Sequence, residues 1–209
     1  MQNVVNIIVI GYALPQAEKE CLKSVISNTK HPYVLTYFNN YKSGYTLTQI
    51  WNTLINSSNC EYVCLLNNDT VVYPGWLERM VSTIANDKGI GFVGPSTNAC
   101  HSPQKTIPTH ELAEANLGKV EIMKEPISGF CLLFRKTTWV KLNGFDEKYE
   151  LYGQESDFID RAKSLGLHSA WVKGAFVFHH GELSVKTHGI DVAKERTKAK
   201  AVYWAARGK

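Results

Sequence analysis

The sequence contains no hydrophobic run long enough to cross a bilayer as a helix. A membrane-spanning helix needs about 20 consecutive apolar residues, whereas the apolar run at residues 4–10 is much shorter and is interrupted by Asn6. No basic segment precedes this run and no small-residue cleavage site follows it, so we interpret it as a first β-strand rather than as a signal peptide. We therefore expect a cytoplasmic protein without a transmembrane segment.

Paired cysteine motifs are also missing. The chain has five cysteines, an odd number, and none of them forms a CxxC pair or a zinc-like spacing with histidine. We expect these thiols to be reduced, three of them packed in apolar runs, which excludes a disulfide framework and a structural zinc site. The cysteines are Cys21, Cys60, Cys64, Cys100 and Cys131.

A large charge excess is absent as well, since 23 Lys and Arg residues face 19 Asp and Glu residues, for a net charge of +4. This excess suits anionic small molecules and is too small to require nucleic acid. The basic residues concentrate near the C-terminus, where residues 192–206 are rich in helix formers. We interpret this segment as a solvated basic helix, with a dock for an anionic acceptor or a membrane surface as the alternative. The cations from residue 186 onward are Lys186, Lys194, Arg196, Lys198, Lys200, Arg207 and Lys209.

The 209 residues, 44% of them hydrophobic, suffice for one domain with a proper core. Their apolar periodicity alternates between strand and helix patterns, which predicts a sheet covered by helices. Residues 95–117 show neither pattern, and a loop of this length is a candidate functional flap. The predicted strands are residues 4–10, 33–38, 62–66, 90–94, 128–135 and 170–178. The predicted helices are residues 15–26, 47–55, 76–85, 137–142, 156–165 and 192–206.

The most informative segment is residues 61–70, where five apolar or aromatic residues end abruptly in Asn67, Asn68, Asp69 and Thr70. In open α/β sheets, ligands bind beyond the carboxyl ends of the strands. Carboxylate and amide oxygens at such a place suit a hard divalent cation. The alternative is that these residues only form the turn and cap the next helix.

Two further polar clusters follow predicted strands or begin a predicted helix. Glu155 and Asp157 lie in the first turn of a helix, where a carboxylate can act as a general base or simply interact with the helix dipole. His179 and His180 end the last strand; one of them could join a manganese site, or the pair could have one ring packed and one in solvent. The sequence leaves open which histidine would be the ligand.

In this order and at these separations, the motifs resemble the family 2 glycosyltransferases with the GT-A fold. The resemblance covers nearly the whole chain. It is carried by residues 7–12 (IIVIGY), 62–69 (YVCLLNND), 128–130 (SGF), 143–147 (NGFDE), 153–158 (GQESDF) and 179–180 (HH).

The resemblance implies an α/β fold with a Rossmann-related, mixed and mostly parallel sheet flanked by helices. The single domain would comprise a nucleotide-sugar-binding half at residues 1–98, an acceptor and catalytic half at 99–189 and a basic helix at 190–209. The implied activity is inverting transfer of a sugar from a nucleotide diphosphate sugar to an acceptor hydroxyl, assisted by Mn²⁺ or Mg²⁺. The acceptor would be a glycan, a lipid-linked glycan or a nucleic acid, and peripheral contact with a membrane would be compatible with this activity.

The family's residue roles can be placed on matching positions. Asp69 would bind the metal, completed by His179 or His180, although Asn67 stands where the family's DXD element has its first acid. Glu155 would be the base, with Asp157 as the fallback. The donor would contact Tyr12, Asn39, Asn67, Asn68 and Asp69.

Two other classes compete with this interpretation. A sugar nucleotidyltransferase would normally need a glycine-rich phosphate loop with a basic residue near the N-terminus, and residues 11–16 offer neither. A non-catalytic nucleic-acid-binding protein would explain the basic tail but not the acids at the strand ends. A glycosyltransferase whose acceptor is modified DNA would combine both features.

Overall fold

The computed structural model describes residues 3–208; Lys209 of the predicted basic tail and the first two residues of the predicted donor half lie outside them. One eight-stranded sheet is flanked by helices on both faces. The strands are β1 (Val5–Gly11), β2 (Tyr33–Asn39), β3 (Tyr62–Asn67), β4 (Thr70–Val72), β5 (Ile90–Ser96), β6 (Val120–Met123), β7 (Cys131–Arg135) and β8 (His168–His179). The helices are α1 (Pro15–Asn28), α2 (Leu47–Asn56), α3 (Trp76–Asn86), α4 (His110–Glu114), α5 (Lys136–Lys141), α6 (Gln154–Lys163), α7 (Leu183–Thr187) and α8 (Val192–Ala205).

The strand order is β2-β1-β3-β7-β5-β8-β4, with β6 also paired to β8. The mixed α/β sheet predicted from the sequence is confirmed. Within residues 3–208, three pairings are parallel and four are antiparallel, so the parallel share is smaller than the sequence indicated. The reasons are β7, which runs against both β3 and β5, and the short strands β4 and β6, which both run against β8.

The parallel strands β1, β2 and β3 end at the same edge of the sheet. Gly11 is in register with Asn39, and Ile10 with Asn67. At the other side of the sheet, β4 pairs antiparallel with the end of β8, and Thr70 lies opposite His179. These registers bring the residues after β3 to the end of β8.

Alternating side chains of the central strands divide the core into two layers. Ile7 and Val9 of β1 pack with residues of α1 and α3, whereas Ile8 and Ile10 face α2, α5 and α6. In the second layer, the Phe158 ring of α6 packs edge-on against Phe92 and Phe145, with ring centres 5.4 and 5.2 Å apart. This aromatic packing fixes the first turn of α6 beside the sheet.

Five short elements were missing from the sequence-based prediction: β4, β6, α4, α7 and a 3₁₀ helix at Pro103–Thr106. A three-residue strand is too short to show a period, and β6 lies against only one neighbour, with Val120 and Ile122 exposed. The predicted flap also begins later than expected because β5 continues through Pro95 to Ser96, and the flap contains a short 3₁₀ helix (Pro103–Thr106) and α4.

All five cysteines are free, and the predicted packing of Cys21, Cys64 and Cys131 in the core is confirmed. Burial raises the pKa of Cys21 to about 11. Among residues 3–208, no helix is long and apolar enough to span a membrane. The division of the domain at residues 98 and 189 stays a prediction.

The C-terminal helix α8 has no buried residue and is held by polar contacts. Tyr203 donates a hydrogen bond to Asp160, and Arg207 forms ion pairs with Asp157 and Asp160 at 3.4 and 3.3 Å. Trp204 is 46% exposed. The helix is therefore fixed to α6 by charge and hydrogen bonding rather than by burial of its aromatic residues.

Candidate active site

A cavity of about 920 Å³ opens at the sheet edge where β1 and β3 end. Its walls come from the ends of these strands, the flap, residues 126–130, the first turn of α6 and the segment after β8. The cavity therefore lies where the sequence analysis placed the ligand, beyond the carboxyl ends of the strands.

Asp69 and His179 meet on one wall of this cavity. The antiparallel pairing of β4 with β8 brings Asp69 Oδ1 to 3.3 Å from His179 Nε2. The His179 ring is stacked on Phe130, and its Nδ1 lies 2.9 Å from the backbone oxygen of Ala99. The other carboxylate oxygen of Asp69 accepts a hydrogen bond from the backbone N–H of Leu183. Packing and hydrogen bonds thus fix both side chains.

The two groups shift each other's pKa. Burial alone would raise the pKa of Asp69, but the hydrogen bond and charge of His179 outweigh it, so this pKa lies below the ordinary value of an aspartate. Burial likewise opposes protonation of His179, yet the neighbouring Asp69 leaves the pKa of the imidazole raised. The pair therefore carries an ionised carboxylate inside the cavity.

The arrangement fits a divalent cation. The Ala99 carbonyl can only accept a hydrogen bond, so His179 carries a proton on Nδ1. When the proton on Nε2 leaves, the lone pair of Nε2 faces the Asp69 carboxylate, and both can bind the same cation. Ligating histidines usually donate their second N–H to a backbone carbonyl in this way. Within the described part of the chain, no group of three His, Cys, Asp or Glu side chains forms a complete metal cage. One carboxylate and one imidazole suffice for Mn²⁺ or Mg²⁺ when phosphates and water complete the shell.

The neighbouring asparagines point in different directions. Asn67 Nδ2 lies 3.4 Å from His179 Nε2, so this side chain belongs to the Asp69–His179 cluster. Asn68 also lines the cavity, but its amide donates to Glu18 at 3.2 Å and accepts from Ser184 at 3.3 Å. Asn68 therefore links α1 to the segment after β8.

His180 does not join the cluster. His180 follows the end of β8, is exposed and also lines the cavity; its backbone N–H donates to the Asp69 backbone oxygen at 2.9 Å. Its Nε2 lies 3.5 Å from Glu20. Of the two candidate histidines, the structure brings only His179 to Asp69.

Glu155 lies on another wall of the same cavity, in the first turn of α6. Its side chain packs on Gly129, where an added Cβ would lie 2.8 Å from Glu155 Cγ, so a larger residue at position 129 would displace it. Glu155 Oε2 is buried and has no hydrogen-bond partner. Burial raises the pKa of this carboxyl group. A carboxylate held without a partner inside a cavity can accept a proton.

Asp157, the predicted fallback base, does not line this cavity. A side chain two positions further along a helix lies about 200° around the helix axis. Asp157 therefore points away from Glu155, towards a different cavity of about 1130 Å³. Its buried carboxylate accepts from Arg161 Nε at 2.8 Å and pairs with Arg207 at 3.4 Å. Asp157 therefore anchors α6 and α8 to each other.

We expect Asp157→Asn to lower the free energy of unfolding by about 1–2 kcal/mol, because two charged hydrogen-bond partners lose their carboxylate. The substitution leaves the walls of the main cavity intact, so catalytic activity should stay within a few-fold of wild type. Urea unfolding and an initial-rate assay measure the two effects. A loss of activity without a loss of stability would indicate that Asp157 takes part in catalysis.

At the β1–β2 end of the cavity, Tyr12 is half-buried and lines the wall, in edge-to-face contact with Tyr41 and His188. Asn39, which the resemblance placed at the donor, does not line the cavity: it is exposed and accepts a hydrogen bond from the Tyr41 backbone at 3.0 Å. The next residue, Asn40, is buried and lines the cavity.

Three cations also line the cavity. Lys186 and Arg196, which the sequence placed in the basic C-terminal part, come from the segment after β8 and from α8. Arg196 pairs with Glu182 at 2.5 Å and lies over the Tyr152 ring. Lys105 comes from the flap, and no local pattern marked it. Glu18 did leave a signal, because it lies among Ala17, Cys21 and Val25 on the apolar stripe of α1.

Fold and site together define a class: the chain has the fold of the GT-A glycosyltransferases. It is similar to a crystal structure of GalNAc-T7 with UDP, GalNAc and Mn²⁺, with a TM-score of 0.65, 13% identity, and coverage of 84% of this chain and 43% of that chain. It is also similar to the mannosyltransferase PcManGT from Pyrobaculum calidifontis in complex with GDP-Man and Mn²⁺, with a TM-score of 0.58, 15% identity, and coverage of 84% and 56%. The GT-A-like fold expected from the sequence is confirmed.

Sequence comparison adds a partial relative. Over 54 residues, the chain is 41% identical to an N-acetylglucosaminyl-diphospho-decaprenol L-rhamnosyltransferase from two strains of Mycobacterium tuberculosis. The matched segment is 26% of this chain and only 18% of the relative's length. No family model matches the chain.

Proposed function

We propose that this domain is a glycosyltransferase that moves a hexose from a nucleotide diphosphate sugar to an acceptor hydroxyl with inversion at the anomeric carbon. The observation that carries the proposal is the presence of two different carboxylates on one cavity. Asp69 is paired with His179, whereas Glu155 has a buried oxygen without a partner. Two acids whose environments differ in this way suit a cation site and a general base.

In the proposed reaction, the acceptor oxygen attacks the anomeric carbon from the face opposite the diphosphate. The new carbon–oxygen bond forms as the bond to the diphosphate breaks, and Glu155 takes the proton of the acceptor hydroxyl. A single displacement inverts the anomeric carbon. Asp69 and His179 would hold the divalent cation, which when bound neutralises charge on the departing diphosphate.

The donor nucleoside would occupy the end of the cavity beside β1 and β2. Tyr12 offers an aromatic edge there, and Asn40 offers a polar side chain at the same wall. This placement puts the nucleoside beyond the parallel strands and the sugar between Asp69 and Glu155.

For the acceptor we propose a glycan linked to a lipid through phosphate. Lys105, Lys186 and Arg196 supply positive charge to the cavity walls, which suits an acceptor that carries phosphate. The partial relative, by its name, acts on a diphosphate-linked lipid. The outward face of α8 adds exposed Lys194, Lys198 and Lys200, so peripheral contact with an anionic membrane belongs to the same proposal. The cytoplasmic location expected from the sequence stays a prediction.

The test is a transfer assay with radiolabelled nucleotide sugars. UDP-, GDP- and dTDP-hexoses are each incubated with the protein and Mn²⁺, in the presence of phosphate-linked lipid glycans or of DNA. We expect label from at least one donor to enter the organic phase with the lipid. Label in DNA would show that the acceptor is a nucleic acid and not a lipid-linked glycan. If no donor is transferred, hydrolysed or bound, the proposed function is wrong.

A further inference from the structure

Glu18 is a buried carboxylate outside the catalytic assignments above. It lies in the first turn of α1 and is 7% exposed. Charged residues are rarely buried to this extent unless several partners compensate for the lost hydration. Its location therefore requires an explanation.

The compensation comes from four hydrogen-bond donors. Glu18 Oε1 accepts from the backbone N–H groups of Tyr12 at 2.8 Å and Leu14 at 2.9 Å, and from Asn68 Nδ2 at 3.2 Å. Glu18 Oε2 accepts from the Tyr37 hydroxyl at 2.7 Å. Burial works to raise the pKa of Glu18, but these hydrogen bonds together lower it. The carboxylate is therefore ionised, and every partner donates to it.

Three of these partners, Tyr12, Leu14 and Asn68, belong to two separate walls of the cavity. Residues 12–14 form the loop after β1, and Ala13 within it has a positive φ of 54°, a conformation that the surrounding bonds must maintain. Asn68 precedes Asp69 directly and also accepts a hydrogen bond from Ser184 in α7. One carboxylate thus connects the loop that carries Tyr12 with the turn that carries Asp69.

We propose that Glu18 is a positioning residue that couples the nucleoside end of the cavity to the Asp69 turn. Tyr12 and Asp69 lie at two ends of a single donor molecule in the proposed function, on which this inference rests. Holding both from one carboxylate sets their relative position before the donor binds, which lowers the ordering cost of binding. Glutamine removes the negative charge that the donors share, and its amide nitrogen can be accommodated only if the Tyr37 hydroxyl changes from donor to acceptor.

The experiment compares Glu18→Gln with Tyr37→Phe. Both substitutions disturb the same hydrogen-bond cluster, but Tyr37 lies on the edge strand β2 and is 42% exposed, and its hydroxyl packs against Gly11 at the end of β1. Tyr37→Phe removes only the bond to Glu18 Oε2 and leaves the three bonds to Oε1 that hold the two walls. Glu18→Gln should raise the Kd for UDP or GDP with Mn²⁺, and the donor KM, about tenfold or more. Its kcat should change less than its KM, because Glu155 is untouched. Tyr37→Phe should keep the wild-type Kd.

Hydrogen exchange provides a readout that needs no nucleotide. In Glu18→Gln, amide exchange should accelerate both at residues 12–14 and at residues 67–70. If Glu18→Gln does not fold, Asn68→Ala cuts the link on the Asp69 side alone and should accelerate exchange at residues 67–70 and raise the Kd. A wild-type Kd in Glu18→Gln, an equal loss of affinity in Tyr37→Phe, or, in Glu18→Gln, faster exchange in only one of the two segments would overturn the coupling. Absence of nucleotide binding in the wild type would instead contradict the proposed function.

Discussion

Replacing Glu155 with glutamine should reduce transfer by about a hundredfold to ten-thousandfold, the usual contribution of a general base. Glutamine has nearly the same size and can occupy the same space on Gly129, but it cannot take a proton from the acceptor hydroxyl. The Kd for the nucleotide should remain close to wild type, because Glu155 lies apart from the Asp69–His179 pair. Initial rates and calorimetric titration measure the two quantities.

The control for Glu155 is Asp157→Asn on the same helix, which removes a carboxylate two residues away. It should retain most of the activity while Glu155→Gln loses it. The pH profile adds an independent check: burial raises the pKa of Glu155, so the wild-type rate should fall, on acidification, at a higher pH than an exposed glutamate would give. A Glu155→Gln enzyme with near wild-type turnover would exclude Glu155 as the base.

Replacing Asp69 with alanine should also nearly abolish transfer, since metal stabilisation of a leaving group contributes several kcal/mol. The loss is expected because Asp69 supplies the negative charge of the proposed cation site: among the described residues it is the only carboxylate in contact with His179. The substitution should remove the difference between nucleotide affinity with and without Mn²⁺. Titrations of UDP and GDP in the two conditions measure this difference directly.

Two histidine variants sharpen this second prediction. His179→Ala should lose the manganese dependence together with Asp69→Ala, because both side chains belong to one cluster. His180→Ala, the adjacent control, should keep it, because His180 is exposed and lies beside Glu20. If the nucleotide affinity of Asp69→Ala depends on Mn²⁺ as strongly as that of the wild type, the cation site lies elsewhere.

The sequence predicted the long elements and the strand ends well for physical reasons. β1 and β3 are apolar in nearly every residue and buried on both faces, so their location is encoded locally. The end of β3 is marked by polar residues after an apolar run, and Glu155 by its position in the first turn of a predicted helix, which is why the sequence offered Asp69 and Glu155 as candidates. The histidine pair at the end of the last strand offered a second ligand for the same cation.

Features that depend on tertiary pairing could not be read in advance. The choice between His179 and His180 depends on how β8 pairs with β4, a three-residue strand without its own period. The direction of Asp157 depends on the rotation of α6, which is set by the packing of Phe158. Arg196 reaches the cavity only because α8 folds back towards it, although it lies 41 positions after Glu155 in the chain.

The most direct test of the central claim is a crystal structure with Mn²⁺ and a nucleotide, with the ion located by its anomalous scattering. Our account predicts one manganese peak in contact with Asp69 and His179, with the diphosphate bound to it and Glu155 facing the sugar's position. A nucleotide bound outside this cavity, or a manganese ion beside the diphosphate but held by neither Asp69 nor His179, would contradict it.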